Sequence, residues 1–247
     1  MDWQHLGGLV MARLGQSIAD SGPAPGAWLP AALIVAAVVI GVRPLWRMSR
    51  TVVTIAHELG HALVALLTGR RWQRFVVHAD MSGEVATLGK PTGIGRILTT
   101  AAGYPMPAVL GALAIWAGLS GWALVVLLVI AVALVAALVR ARSGFTVLWL
   151  VFLLLADVAL WWWSSDILAA GLVCGLGAFL VGGAWRQLIN VSGSHDPGQD
   201  PAVLASISWL ARGGWLTVFF AIVGVMTALS ARTMAPSLMM WWRSVMG

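Results

Sequence analysis

Long apolar runs dominate this chain, and short polar clusters separate them. A run of about 20 apolar residues is long enough to cross a bilayer as a helix. The pattern therefore predicts an all-α polytopic membrane protein with about six to seven transmembrane helices. The predicted spans are residues 28–46, 51–68, 95–118, 121–140, 144–163, 166–186 and 209–231.

Two segments lack the pattern of a membrane span. Residues 72–90 alternate loosely between apolar and polar positions and are interrupted by Gly83, so they predict a small β-hairpin after the second run. Residues 190–205 are polar and rich in turn-forming residues, and Asp200-Pro201 fits a helix N-cap followed by proline at the first helical position.

These patterns divide the chain into three parts. Residues 1–27 are predicted to form an N-terminal interfacial or cytoplasmic segment. Residues 28–231 form a single membrane-embedded domain, and residues 232–247 form a C-terminal interfacial tail.

Composition supports the membrane interpretation, since 60% of the residues are hydrophobic and only 10% are charged. The net charge of +6 does not indicate a nucleic-acid partner, because the basic residues cluster at the ends of apolar runs, as they do in membrane proteins. The expected environment of the chain is therefore the lipid bilayer.

The chain has a single cysteine, Cys174, which excludes an intrachain disulfide and a cysteine-based metal cluster.

The distribution of Lys and Arg predicts an orientation. If all seven runs cross the membrane, a cytoplasmic N-terminus places ten of the 15 basic residues on the cytoplasmic side, including Arg13 and Arg70. The cluster at residues 43–50 then lies on the opposite side and argues against this assignment. The count as a whole favours an N-terminus in the cytoplasm.

The second apolar run contains the motif His57-Glu58-Leu59-Gly60-His61. Two histidines four positions apart lie on one face of a helix and can offer two imidazole nitrogens to one Zn²⁺. The glutamate between them would act as general base on a water at the metal. A buried hydrogen-bonded cluster without metal is the alternative, but ionisable groups at membrane depth are costly and are rare unless functional.

A catalytic zinc needs a third protein ligand, and few residues could supply it. Asp200 is a candidate that could equally be a helix N-cap. Asp196 also fits a turn residue. Asp157 lies inside an apolar run, where an acidic residue is a functional candidate by default. The motif and its spacing leave these alternatives open.

The chain resembles the site-2 protease family of intramembrane zinc metalloproteases, in its short bacterial branch without a PDZ domain. Three segments carry the resemblance: the HExxH helix at residues 57–61, the hairpin and following span at 78–87 and 101–111, and the acidic segment at 194–205. The chain departs from the family in lacking the Leu-Asp-Gly signature, since Asp200 is followed by proline.

The resemblance implies a zinc metalloendopeptidase that hydrolyses a peptide bond within or next to a transmembrane segment of another protein. The expected partner is a membrane protein with a single transmembrane segment, and the expected location is the bacterial inner membrane. The resemblance also implies one Zn²⁺ per chain, bound by His57, His61 and Asp200, with Glu58 as the catalytic residue.

The resemblance further implies that the hairpin presents an edge strand to which an unwound substrate adds through main-chain hydrogen bonds. The candidate substrate-binding residues are Val76, Val77, His78, Gly83, Val85 and Asn190. One rival hypothesis is a catalytically inactive relative that serves as a membrane binding protein. Another is a metal or proton transporter, which would have ionisable residues spread over more spans than this chain has.

Overall fold

The computed structural model describes residues 3–19 and 26–247. These residues form ten helices and one two-stranded sheet, which confirms the predicted fold class. The helices are α1 (Trp3–Ala19), α2 (Trp28–Gly41), α3 (Arg43–Leu67), α4 (Ile94–Ala101), α5 (Met106–Leu119), α6 (Ala123–Arg140), α7 (Gly144–Trp163), α8 (Asp166–Ser192), α9 (Asp200–Ile207) and α10 (Arg212–Met246). The strands are β1 (Arg71–Val77) and β2 (Gly83–Leu88).

The described helices provide four to six membrane spans rather than seven. Helices α6, α7, α8 and α10 are each long and apolar enough to cross a bilayer. Two further spans come from bent pairs, α2 with α3 and α4 with α5, which bend by 104° and 65°. The protein is therefore an integral membrane protein.

The predicted runs at 28–46 and 51–68 form the first bent pair. Helix α2 ends at Gly41 and contains 14 residues, so it is about 21 Å long and shorter than a bilayer core of about 30 Å. The chain is extended at Val42, and Pro44 lies in the first turn of α3. Proline lacks the N–H needed to continue α2 but is compatible with a new helix start.

Helix α8 lies between α2 and α5, and small residues bring the backbones together. Gly111 of α5 and Gly177 of α8 face each other so closely that a Cβ on either would lie 2.5 Å from the other's carbonyl oxygen. On the opposite side of α8, a Cβ at Gly175 would lie 2.8 Å from the Cβ of Ala32. Such contacts are typical of membrane helices, which pack through small residues.

The predicted hairpin forms between α3 and α4, and only one of its two edges is open among the described residues. Strand β1 pairs antiparallel with β2. On its other side, the Thr146 hydroxyl accepts from the N–H of Val77 at 2.8 Å and donates to its carbonyl at 3.2 Å. The N–H of Arg142 also donates to the carbonyl of Phe75. Strand β2 therefore carries the free edge.

Helix α1 and the hairpin lie at opposite ends of α7. The Arg13 side chain donates to the carbonyls of Trp161 and Ser164 at the C-terminal end of α7, at 3.1 and 2.8 Å. Thr146, which contacts the hairpin, lies at the N-terminal end of the same helix. The orientation count places Arg13 and Arg70 on one side of the membrane, whereas the structure holds Arg13 at the end of α7 that is opposite the hairpin, and Arg70 directly precedes the hairpin.

Helix α10 extends well beyond the predicted span at 209–231. It runs without a break from Arg212 to Met246 and includes Pro236. Residues 232–246, predicted as an interfacial tail, thus continue the last membrane helix.

Candidate functional site

Helix α3 brings the two motif histidines together. The Nε2 atoms of His57 and His61 lie 3.1 Å apart, one helical turn from each other. The other nitrogen of His61, Nδ1, lies 2.7 Å from the carbonyl oxygen of Thr99 in α4. If Nδ1 carries the ring proton and donates a hydrogen bond to this carbonyl, Nε2 has a free lone pair that can bind a metal.

Asp200 joins the histidine pair from α9. Its Oδ2 atom lies 3.3 Å from the Nε2 atoms of both His57 and His61. The predicted N-cap role of Asp200 is wrong, because Gln199 occupies the N-cap and Asp200 is the first helical residue. The Asp200 side chain is thus free to point at the histidines.

Tyr104, which the sequence analysis missed, connects these elements at the break between α4 and α5. Its ring packs edge-on against His57, with centroids 4.7 Å apart. Its hydroxyl donates to the Oε1 atom of Gln199 at 2.6 Å. The α4–α5 break is therefore tied to the residue just before Asp200.

Gly103 at the same break leaves a small open space among the three side chains. A Cβ at this position would lie 2.5 Å from the Nε2 atoms of His57 and His61 and 2.6 Å from Oδ2 of Asp200. Any side chain here would therefore collide with all three. The sequence contains 28 glycines, and nothing in the pattern distinguished Gly103 from the others.

This arrangement fits a zinc ion. Bonds of 2.0 to 2.2 Å in a tetrahedral site place ligand atoms about 3.3 to 3.6 Å apart. The separations found here, 3.1 to 3.3 Å, lie at or just below the lower end of that range. The buried Oδ2 atom of Asp200 also has no hydrogen-bond partner of normal geometry among the described residues. Two imidazoles and one carboxylate are a donor set used by catalytic zinc sites.

Glu58 is buried beside the free edge of β2. A Cβ on Gly83 would lie 2.6 Å from Cγ and 2.8 Å from Oε1 of Glu58, so the strand passes directly over this carboxylate. The backbone of Val85 lies close to the same carboxylate. The open strand edge and the acidic side chain therefore belong to one site.

A cavity of about 690 Å³ contains this site. It is bounded by α3, β2, α4 and α8 and by the segment that leads to α9. That segment contributes Ser194, Gly198 and Gln199 to the lining, and Asn190 lines the cavity from the end of α8, so this side of the cavity carries several polar groups.

The structure brings together only some of the predicted substrate-binding residues. Gly83, Val85 and Asn190 line the cavity with Glu58. Val76, Val77 and His78 belong to β1 and the turn, and they do not line it. The reason is that β1 turns its outer edge toward the α6–α7 connection and leaves β2 to face the site.

The alternative third ligands lie elsewhere. Asp196 is exposed and accepts from the N–H of Gly198 at 2.9 Å, a hydrogen bond that lowers the pKa of this carboxyl group. Asp157 is buried within α7. Among the residues that the structure describes, the one group of three or more potential ligands is His57, His61 and Asp200.

Comparison with known families agrees with this geometry. The sequence profile described as Peptidase M50B-like matches residues 30–230, which is most of the chain. The chain belongs to the Peptidase M50B-like family. This match confirms the resemblance to site-2 proteases that the sequence indicates. The HExxH motif and Asp200 both lie within the matched region. No curated protein and no solved structure matches it significantly.

Proposed function

We propose that this M50B-like protein is an intramembrane zinc metalloprotease. It hydrolyses a peptide bond within or next to the transmembrane segment of another membrane protein. The observation that carries the proposal is the position of Glu58, which lies between a zinc-compatible ligand group and an open strand edge.

His57, His61 and Asp200 would hold one Zn²⁺ per chain. When bound, the zinc supplies a Lewis acid that lowers the pKa of a water to about 7 and polarises the scissile carbonyl. Thr99 supports this arrangement by fixing the ring of His61. Tyr104 and Gln199 support it by fixing the start of α9.

Glu58 acts as general base and then as general acid. Its carboxylate takes a proton from the water that adds to the scissile carbonyl carbon. As the C–N bond breaks, the carboxylic acid delivers this proton to the leaving amine nitrogen. Burial between α3 and β2 keeps bulk water away from the carboxylate.

The free edge of β2 holds the substrate. Peptide bonds in a helix are shielded by their neighbours, so the substrate segment must be extended before water can attack it. An extended chain pairs with β2 through main-chain hydrogen bonds, which requires little side-chain specificity. Gly83 and Val85 lie on this edge, and Asn190 faces the same cavity from α8. The substrate is expected to have a single transmembrane segment.

The location we propose is a bacterial inner membrane. Most basic residues near the ends of α7 lie at its hairpin end, including Arg71, Arg74 and Arg142, whereas Arg13 lies at the other end. The positive-inside rule then places the hairpin end in the cytoplasm. This assignment replaces the earlier expectation of a cytoplasmic N-terminus, because α1 lies at the opposite end of α7.

The proposal is tested by cleavage of a model single-span substrate whose apolar segment is interrupted by Gly-Pro. Zinc-loaded wild type in detergent is expected to cut it, and Glu58→Gln is expected to retain zinc without cutting. Asp166→Asn is the matched control, because this carboxylate pairs with Arg13 far from the site. Undiminished cleavage by Glu58→Gln would contradict the mechanism, and zinc-loaded wild type that binds the substrate without cutting it would indicate a binding protein.

A further inference from the structure

Arg96 is a cation of the cavity that neither the ligand group nor the proposed mechanism uses. It lies in the first turn of α4, one turn before Thr99, whose carbonyl contacts His61. Its side chain lines the same cavity as Glu58. Within the part of the chain that the structure describes, the Arg96 guanidinium makes no hydrogen bond and no ion pair.

Arg96 lies near the end of β2 that is farther from Glu58. The neighbouring Arg70 donates to the carbonyl of Lys90 at 2.6 Å and to the Thr87 hydroxyl at 3.4 Å, so its guanidinium is fixed at that end. Burial lowers the pKa of Arg70, and the nearby charge of Arg96 lowers it further. Arg70 is thus occupied by structural hydrogen bonds, whereas Arg96 is available to a ligand.

At the other end of β2, the two charged side chains of the cavity wall, Arg50 and Glu84, each have a partner. The Arg50 guanidinium donates one hydrogen bond to the carbonyl of Asp80 in the hairpin turn, although its Nε atom has no partner among the described residues. Glu84, which also lines the cavity, is paired with Arg74. Of the two arginines that line the cavity, Arg96 is thus the one whose guanidinium has neither a hydrogen bond nor an ion pair with a described residue, and it favours a negatively charged group in the bound segment.

We propose that the substrate segment bound along β2 carries an acidic side chain that pairs with Arg96. This inference rests on the proposed function, because it assumes that a peptide binds along the strand edge. Val85 lies beside Glu58, and Thr87 lies two residues further along β2, about 7 Å away. The acidic residue is therefore two or three positions from the scissile bond, on the side toward Thr87.

Binding of synthetic single-span peptides tests this inference without requiring cleavage. Each peptide contains a Gly-Pro break and carries Glu, Gln or Lys two positions from it, on one side or the other. Affinity is measured by fluorescence anisotropy with the zinc-loaded Glu58→Gln protein. We expect the Glu peptide to bind about tenfold more tightly than the Lys peptide in one of the two placements.

Variants of Arg96 test whether the preference for the Glu peptide over the Lys peptide depends on this residue. In the Glu58→Gln background, Arg96→Gln is expected to remove the difference between Glu and Lys peptides, and Arg96→Glu is expected to reverse it. Arg142→Gln is the matched control, because Arg142 is exposed on the α6–α7 connection and does not line the cavity.

The outcomes separate this inference from the proposed function. Equal binding of the Glu and Lys peptides, or no binding of either, would overturn the role of Arg96. An effect of Arg96→Gln on binding to phosphatidylglycerol nanodiscs, but not on peptide preference, would likewise overturn it in favour of a lipid headgroup. Charge-dependent binding without cleavage by the wild type would support Arg96 while contradicting the protease assignment.

Discussion

Tyr104 donates a hydrogen bond to Gln199, and this contact connects the α4–α5 break to the start of α9. The hydroxyl and the Oε1 atom are 2.6 Å apart, although the two residues lie 95 positions apart in the chain. Because Asp200 follows Gln199 directly, the contact limits where its carboxylate can lie. Tyr104 also packs against His57, so one side chain positions two of the three candidate ligands.

Removal of this hydroxyl is expected to weaken zinc binding. Tyr104→Phe keeps the ring against His57 but releases Gln199, the neighbour of Asp200. Loss of a hydrogen bond made directly to a metal ligand typically costs about 10- to 100-fold in metal affinity, so we expect this less direct contact to contribute up to about tenfold. The affinity is measured by competition with a chromogenic chelator. Thr227→Val is the control, since it removes a hydroxyl that accepts from Trp185 in the α8–α10 contact. Equal zinc affinity in wild type and Tyr104→Phe would remove Tyr104 from the site.

Addition of a methyl group at Gly103 is expected to abolish stoichiometric zinc binding. The new Cβ would lie within 2.6 Å of all three candidate ligand atoms and would occupy the space that a metal needs. Gly224→Ala in α10 is the control, because a Cβ there would contact nothing within 4 Å. Metal content of the purified proteins checks this prediction, and a Gly103→Ala protein that retains full zinc would show that the metal position is elsewhere.

Gly111→Ala is expected to destabilise the packing of α5 on α8. The added Cβ would lie 2.5 Å from the carbonyl oxygen of Gly177, and separating the two backbones should cost about 1–3 kcal/mol. Thermal unfolding in detergent measures the effect, again with Gly224→Ala as the control. If both variants unfold at the same temperature, close packing at Gly111 does not contribute to stability.

Thr146→Val is expected to loosen the hairpin while leaving the membrane helices intact. The change keeps the shape of the side chain but leaves the buried N–H of Val77 without its acceptor, at a cost of about 1–3 kcal/mol. Amide hydrogen exchange in β1 should accelerate. Thr217→Val is the control, since its exposed hydroxyl bonds only within its own helix. Unchanged exchange in β1 would show that the Thr146 contact does not anchor the strand.

Local patterns were sufficient to predict several parts of the site. The four-residue spacing of His57 and His61 requires only helical geometry, and loose alternation around Gly83 was sufficient to predict the hairpin. Asp200 was selected from several acidic residues by family resemblance, and the structure brings its carboxylate to the two histidines.

Features that depend on tertiary contacts could not be predicted in this way. Gly103 and Tyr104 become significant only because the α4–α5 break lies against α3 and α9. Which strand carries the free edge depends on Thr146, which is distant in sequence from the hairpin. The bend between α2 and α3 was not predicted either, because the two apolar runs at 28–46 and 51–68 each resemble a separate span in the sequence, whereas in the structure α2 and α3 reach the length and apolarity of a span only together.

Zinc content of an Asp200 variant tests the central claim most directly. We expect about one equivalent of zinc in the wild type, in Asp157→Ala and in Asp196→Ala. We expect Asp200→Ala to lose it, because Asp200 is the one of these three aspartates whose carboxylate approaches the two histidines. A folded Asp200→Ala protein that retains one equivalent of zinc would contradict the assigned site.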